Sequence, residues 1–202
     1  MSPDQFITAL DKGKGLAPLN RFVAKIKFPD ALKPQATTEE LSLFCDSAPM
    51  PGRTIATAEL RHYGPTRKVA REMTYGEFSL GFIMTNTHSA RNSFLQWMDY
   101  AVNPVTADMR YSSQYKGSVK VLMFAQDSIG LSSSEASFGA EYLESFPAVV
   151  DPITLGWDQT NTVGKFNVTF HYKTWKPLAA AGYADPNAGS TFAFGEGQFE
   201  AT

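Results

Sequence analysis

Residues 86–102 read NTHSARNSFLQWMDYAV, and this is the one long amphipathic helical stretch of the chain. Ala90, Phe94, Trp97, Met98 and Ala101 fall at helical spacing on one face. Thr87 stands where a side-chain cap would start the helix. Asn103-Pro104 ends it, because the residue before a proline avoids the α region. The spacing predicts a helix over about 87–102 that seals an open end or flank of a strand assembly. Its aromatic stripe reads as core packing rather than a ligand platform.

On both sides of this segment the pattern changes to a period of two, the signature of half-buried strands. Phe78, Leu80, Phe82 and Met84 alternate with Glu77, Ser79 and Gly81. Phe166, Val168, Phe170 and Tyr172 alternate with Lys165, Asn167, Thr169, His171 and Lys173. Phe22, Ala24, Ile26 and Phe28 oppose Arg21, Lys25 and Lys27, and Pro29 stops that strand. Leu41, Leu43 and Cys45 alternate with Ser42, Phe44 and Asp46. Phe138, Ala140 and Tyr142 alternate with Glu135, Ser137 and Glu141. Val119, Val121 and Met123 form a further set, with Leu122 and Phe124 making its second face apolar too, and a weaker strand runs around Ile55 to Tyr63. The expectation is a mainly β fold, two packed antiparallel sheets in a sandwich or barrel-like arrangement with one flanking α-helix.

The ends differ from this middle. Ser2 is placed to cap a short helix, with Pro3 in its first turn, Gln5 completing a capping box, and Phe6, Ile7 and Leu10 on its apolar side. Gly13 and Gly15 end it, and a helix this short needs something to dock on, such as a neighbouring chain. From residue 176 to 202 the chain turns Ala- and Gly-rich and loses its period. The organisation read from this is an N-terminal arm over 1–15, a β domain over 16–175 with a long loop at about 49–72, and a C-terminal extension over 176–202.

Composition narrows the function. The 202-residue chain has 19% charged and 13% aromatic residues and a formal net charge of -2, which excludes a strong polyanion binder and a disordered acidic chain. So few charges imply that part of the surface is covered by partners. The lone Cys45 forbids an internal disulfide and reads as a structural thiol, and no oxidising compartment is implied. Met1-Ser2-Pro3-Asp4-Gln5 does not read as a signal peptide, and no apolar run is long enough to span a membrane. Asn167-Val168-Thr169 matches a glycosylation sequon but reads as an ordinary strand.

No catalytic set emerges. His62, His88 and His171 lie away from one another and from Cys45 at metal-ligand spacing, and no nucleophile elbow or phosphate loop is present. Glu141 and Glu144, three apart on a strand, point to opposite faces and cannot share acid-base work. The expectation is no enzyme, no metal and no cofactor.

Charge is instead segregated along the chain. Arg53, Arg61, Arg67, Lys68 and Arg71 face a single acid, Glu59, in a segment punctuated by Pro49-Met50-Pro51-Gly52 and Gly64-Pro65. Between residues 121 and 164 stand Asp127, Glu135, Glu141, Glu144, Asp151 and Asp158 with no lysine or arginine. Two solvated faces of one domain would account for this. So would a basic segment of one subunit meeting the acidic segment of the next, a heterologous contact that makes rings or filaments. Nucleic-acid binding by the basic segment lacks a reading helix or aromatic platform.

The order of motifs resembles the tail tube proteins of contractile-tailed bacteriophages over about residues 14–175. Leu16-Ala17-Pro18-Leu19-Asn20-Arg21-Phe22 resembles the family's lead-in to its first strand. Ala48-Pro49-Met50-Pro51-Gly52 resembles the turn opening its long loop, and Tyr63-Gly64 followed by Lys68 the far end of that loop. The strand Phe78 to Met84, the helix with Phe94 and Trp97, then Tyr115, Tyr142, Phe146-Pro147, Leu155, Trp157-Asp158 and Phe170-His171-Tyr172 to Trp175 follow in the family's order.

The resemblance implies a structural virion protein. Six subunits would close into a ring, one sheet from each lining a continuous inner barrel, and rings would stack into a hollow tube that conducts DNA into the host without specific binding. Partners would be further copies, the sheath, the baseplate and the tail terminator, with assembly in the host cytoplasm; type VI secretion and phage-like particles share the fold. The loop 49–72 would reach adjacent subunits, with Arg67, Lys68 and Arg71 at contacts and out of the bore. Inter-subunit candidates are Pro49, Met50, Pro51, Gly52, Arg53, Arg61, Arg67, Lys68, Arg71, Glu135, Glu141, Glu144, Asp151 and Asp158, and packing candidates are Phe94, Trp97, Met98, Phe166, Val168, Phe170 and Tyr172. The extension past the family's terminal strand leaves room for a baseplate-proximal tube initiator. A reading from another class is a β-sandwich carbohydrate-binding module using Trp157 and Tyr142 as its platform.

Overall fold

The computed structural model describes residues 2–12, 15–61, 64–126 and 136–178. Its elements in order are α1 (Pro3–Lys12), β1 (Phe22–Lys27), α2 (Thr38–Leu43), β2 (Cys45–Ser47), β3 (Thr54–Leu60), β4 (Arg67–Thr74), β5 (Phe78–Ile83), α3 (Ser89–Ala101), α4 (Ser112–Tyr115), β6 (Gly117–Phe124), β7 (Ala136–Val150), β8 (Lys165–His171) and β9 (Thr174–Leu178). All strand pairing is antiparallel. The fold is mainly β, as expected, with a nearly closed sheet in the order β1-β6-β7-β8-β5-β2, β9 added on β7, and β3–β4 as a separate pair.

One strand serves both layers. The first part of β7 pairs with β6 and β9 to make a leaf β1–β6–β7–β9, and its last residues pair with β8 to make a second leaf β7–β8–β5–β2. The change of leaf occurs at a bulge. Val119 lies opposite Tyr142 and Gly117 opposite Ser145, so β7 inserts one extra residue there. Glu144 adopts the left-handed region at φ 54, a conformation that costs an L-residue about 1–3 kcal/mol. The insertion reverses the alternation of the strand: Ala140 and Tyr142 are buried before it, Ser145 and Pro147 after it.

The core between the leaves is aromatic. Phe78 stacks on Tyr142 across the layers at 3.9 Å between ring centroids and on Phe170 at 5.2 Å. Helix α3 closes this core with Phe94 and Trp97, both fully buried, and Phe94 meets Phe82 at 5.1 Å. Trp97 Nε1 donates to the Tyr115 carbonyl at 2.6 Å, so the indole is satisfied where it is buried. Gly117 is required beside it, since a Cβ there would stand 2.3 Å from the Lys27 carbonyl oxygen and 2.8 Å from the Trp97 ring. Phe166, Val168 and Phe170 are buried, and Tyr172 packs half-buried against them. A second small cluster of Val23, Leu122 and Phe124 occupies the other face of the first leaf, which accounts for the two apolar faces of β6.

Three expectations are corrected. Thr87 does not cap α3: His88, at φ 51, holds the N-cap position without a side-chain hydrogen bond, and Ser89 and Ser93 line the buried face while Met98 is half-buried. Ser93 fits there because its hydroxyl donates to the Ser89 carbonyl and accepts from the Ala36 amide, both at 2.8 Å. Second, Leu41, Leu43 and Cys45 do not share a strand. Thr37 accepts from the Glu40 amide at 3.2 Å and starts α2, and only Cys45–Ser47 is extended. Third, the segment 49–72 is no loop, because most of it forms the β3–β4 hairpin. The final strand β9 also runs through Leu178, past the change in composition at 176, while residues 179–202 lie outside the described residues.

Candidate assembly surface

Among the described residues the β3–β4 hairpin is an arm clamped to the body only at its root. Tyr142 donates its hydroxyl to the Pro49 carbonyl at 2.9 Å, and Trp175 Nε1 donates to the Gly52 carbonyl at 3.1 Å. The Arg53 guanidinium lies over the Trp175 ring at 4.2 Å. Just past the returning strand Tyr75 meets Tyr172 edge-on at 5.9 Å. The predicted turn Pro49-Met50-Pro51-Gly52 is therefore the arm's anchor, with Met50 packed against the core. Burial raises the Tyr142 hydroxyl well above its ordinary range, so it stays a proton donor to Pro49.

Beyond the root the arm owns almost no burial. Every residue of β4 is exposed, and in β3 only Ala56 and Ala58 are partly covered. Ile55 is 55% exposed and Leu60 59%, an unusual state for large aliphatic side chains. Ile55 lies opposite Met73 and Ala58 opposite Val69, so both faces of the ribbon carry apolar residues. The register slips by one at Arg71, which bulges between Glu72 and Ala70. Arg61, Arg67, Lys68 and Arg71 are exposed and make no ion pair among the described residues, although Lys68 lies opposite Glu59.

The acidic segment is altered by folding. Glu141 is held by Lys120 at 3.3 Å, and Glu144 by Lys116 and, at 3.0 Å, by Lys173. The two lysines hold the Glu144 carboxyl below its ordinary value. Asp151 accepts from the Asn167 amide at 3.1 Å, and Asp158 stands exposed in the β7–β8 connection. Glu135 and Asp127 lie outside the described residues. Sequence distance concealed these pairings, because Lys120 arrives from β6, Lys116 from the residue before it and Lys173 from the β8–β9 connection.

Other residues singled out from the sequence lie elsewhere on the molecule. Tyr142 is fully buried and Trp157 fully exposed, so the two do not form a carbohydrate platform. Half of the expected capping box forms at Ser2: its amide donates to Gln5 Oε1 at 3.3 Å, while the Gln5 amide donates to the Ser2 carbonyl at 3.1 Å. Helix α1 has no buried residue, and Phe6 and Ile7 face solvent. Burial pushes the Cys45 thiol up to about 12, with its Sγ against the Ser47 carbonyl. Among the described residues no cluster could hold a metal, and no helix is long and apolar enough to cross a membrane.

Open strand edges, a ribbon exposed on both faces and the exposed apolar side of α1 make up this surface among the described residues. The chain belongs to the phage tail tube protein family, whose description matches residues 17–177. It is a structural phage tail component and not an enzyme. One relative is the tail tube protein gp19 of Enterobacteria phage T4, 22% identical over 135 residues, which cover 65% of this chain and 78% of that protein. The fold is also that of a chain in the 6-fold symmetrised cryo-EM structure of the anti-feeding prophage baseplate, with a TM-score of 0.59 at 14% identity, covering 82% of this chain and 97% of that one. A chain of the PVC sheath-tube complex, an extracellular contractile injection system in its extended state, aligns with a TM-score of 0.56 at 12% identity over 89% of this chain and 99% of that one.

Proposed function

We propose that six copies of this chain close into a ring, that rings stack into the hollow tube of a contractile tail, and that the tube conducts DNA into the host. The observation that carries the reading is the arm: an isolated two-stranded ribbon is marginal in water, and this one exposes Ile55, Leu60, Val69 and Met73. Its stability and its apolar surface are accounted for when it lies on a neighbouring copy. Arg61, Arg67, Lys68 and Arg71 then meet acids of that copy, of which Asp151 and Asp158 have no lysine partner among the described residues. Pro49, Pro51, Gly52 and Arg53 hold the root at the subunit boundary, and α1 docks its Phe6 side on a sister chain.

The dimensions agree. Each leaf supplies four strands. Six copies of four strands, about 4.8 Å apart and tilted about 40°, close into a barrel about 48 Å across at the backbone; about 5 Å of side chain on each wall leaves about 38 Å, wide enough for duplex DNA. Closure also removes the open edges that a solitary leaf would expose. DNA passes without specific recognition, and sheath, baseplate and terminator proteins are the further partners, met where the tail is assembled in the host cytoplasm. Likeness to a chain of the anti-feeding prophage baseplate structure supports a second reading, a baseplate-proximal tube initiator.

Electron microscopy of the concentrated full chain tests the proposal. Rings with a central hole or stacked tubes are expected, and they should vanish when residues 54–74 are replaced by a short Gly-Ser linker. A chain that stays monomeric at every concentration and with a baseplate template present would refute it.

A further inference from the structure

The face of the first leaf turned away from the main core carries two neighbouring rows of side chains, ordered by the strand register. One row is apolar: Val23 lies opposite Leu122, Leu122 opposite Gly139, and Gly139 opposite Leu178. The row two residues further along each strand is basic: Lys25 lies opposite Lys120, Lys120 opposite Glu141, and Glu141 opposite Lys176. Three lysines thus share one acid, and Lys27 extends the same face. Glu141 is held by Lys120, whereas Lys176 is exposed and makes no ion pair among the described residues. Beside the row a cleft of about 640 Å³ opens between the leaf and the segment after β1, with Lys25, Lys27, Lys120, Glu141 and Thr38 in its lining. The chain itself leads onto this face, because Leu178, the last described residue, packs against the cluster of Val23, Leu122 and Phe124.

Residues 179–202 continue from that point. They hold Asp185, Glu196 and Glu200 and no lysine or arginine, with Tyr183, Phe192, Phe194 and Phe199 among them. Freely solvated linkers are poor in aromatics, so this composition suits a segment that docks. We propose that residues 179–202 turn back over this face of their own chain as a strap, with Asp185, Glu196 and Glu200 against the lysine row and its cleft, and so shield the row from nucleic acid and other polyanions. The reach suffices. Three strand spacings of about 4.8 Å and one two-residue step of about 7 Å put Lys25 about 16 Å from Leu178. Asp185, seven residues past Leu178, extends to about 23 Å. Each exposed ion pair is weak alone. The tether makes docking intramolecular, at an effective concentration on the order of mM, so several weak pairs hold the segment reversibly and in a salt-sensitive way. The strap acts within one chain and does not depend on the tube reading.

Carbodiimide cross-linking of the unassembled full chain at low salt, on an equal mixture of isotope-labelled and unlabelled protein, tests the strap. Links from Asp185, Glu196 or Glu200 to Lys25, Lys27, Lys120 or Lys176 are expected within chains of one isotope. Links found only between isotopes put the segment on another copy and overturn the proposal, as do links to other lysines alone or no links at all. A second measurement neutralises the acids in the full chain, Asp185→Asn with Glu196→Gln and Glu200→Gln. Affinity for a random-sequence duplex DNA probe should rise, and the log–log slope of affinity against salt should steepen by about 2–3 as three lysines become free to meet phosphates. A control of equal charge, Asp4→Asn with Asp11→Asn and Asp108→Asn, removes exposed acids outside both strap and row and should keep the parent's slope. An equal gain in the two triple variants, or no gain in the first, overturns the shield. Either failure leaves the tube reading untouched.

Discussion

The sandwich body and the β3–β4 arm are both antiparallel β-structure, yet they differ in who supplies their burial. In the body Trp97, Tyr142, Phe82 and Phe94 are fully enclosed by the chain's own residues. In the arm no described residue is buried, and its aliphatic side chains face water. Hydrogen-bonding pattern alone therefore does not make a strand pair stable. A ribbon of two strands lacks a third layer to exclude water, and it acquires one only from another molecule. The body is a folding unit, and in the proposed tube the arm is the binding element, held by its root.

Substitutions can break this contrast in graded steps. The largest loss of stability is expected for Trp97→Ala, which empties the core under α3 and should cost about 3–5 kcal/mol in denaturant unfolding of the unassembled chain. Gly117→Ala comes next, at about 1–3 kcal/mol, because its Cβ would collide with the Lys27 carbonyl oxygen and the Trp97 ring. Tyr142→Phe removes the hydrogen bond to Pro49 and should cost about 1 kcal/mol. Its more telling readout is hydrogen exchange, which should quicken in β3 and β4 more than in β5 and β8 as the root loosens.

A smaller effect concerns pH. The Glu144 carboxyl is held below its ordinary value of 4.5 by Lys116 and then Lys173. The folded state thus takes up this proton less readily than the unfolded chain. The pairing stabilises the fold above pH 4.5 and is lost as the pH falls below it. Because the side chain is partly exposed, its worth is no more than about 1 kcal/mol. Glu144→Gln should flatten that part of the acid limb, and an unchanged limb would show the lysines contribute nothing there. Smallest of all in the unassembled chain is Ile55→Ser, within about 0.5 kcal/mol of the parent. The same variant should abolish tube formation, which is the sharpest statement of the difference between arm and body.

The elements readable from sequence were those whose period had a single cause. In β5, β8 and the start of β1 one face is core and the other solvent, so alternation and burial coincide. Helix α3 was legible because Phe94 and Trp97 repeat at helical spacing against polar neighbours. Leu41, Leu43 and Cys45 misled because alternation over five residues also fits a short helix followed by a strand. Thr37 three residues before Glu40 was the local signal that favours the helix. The arm's second strand was concealed because neither of its faces is buried, leaving no alternation to detect. Gly64, at φ 92 between two β-prone runs, was the available clue to its turn.

Sequence by itself determined the class of fold, the enclosed aromatic core and the uneven spread of charge, since period, side-chain size and charge are properties of residues taken in order. Tertiary structure alone decided which charges remain for a partner. Lys116, Lys120 and Lys173 reach Glu141 and Glu144 from positions more than twenty residues away in the chain, and such pairings exist only once register and the bulge at Glu144 are set. It also decided that the segment after Gly52 is an outstretched ribbon, because a strand pair that buries neither face follows from where its root is anchored, at Tyr142 and Trp175.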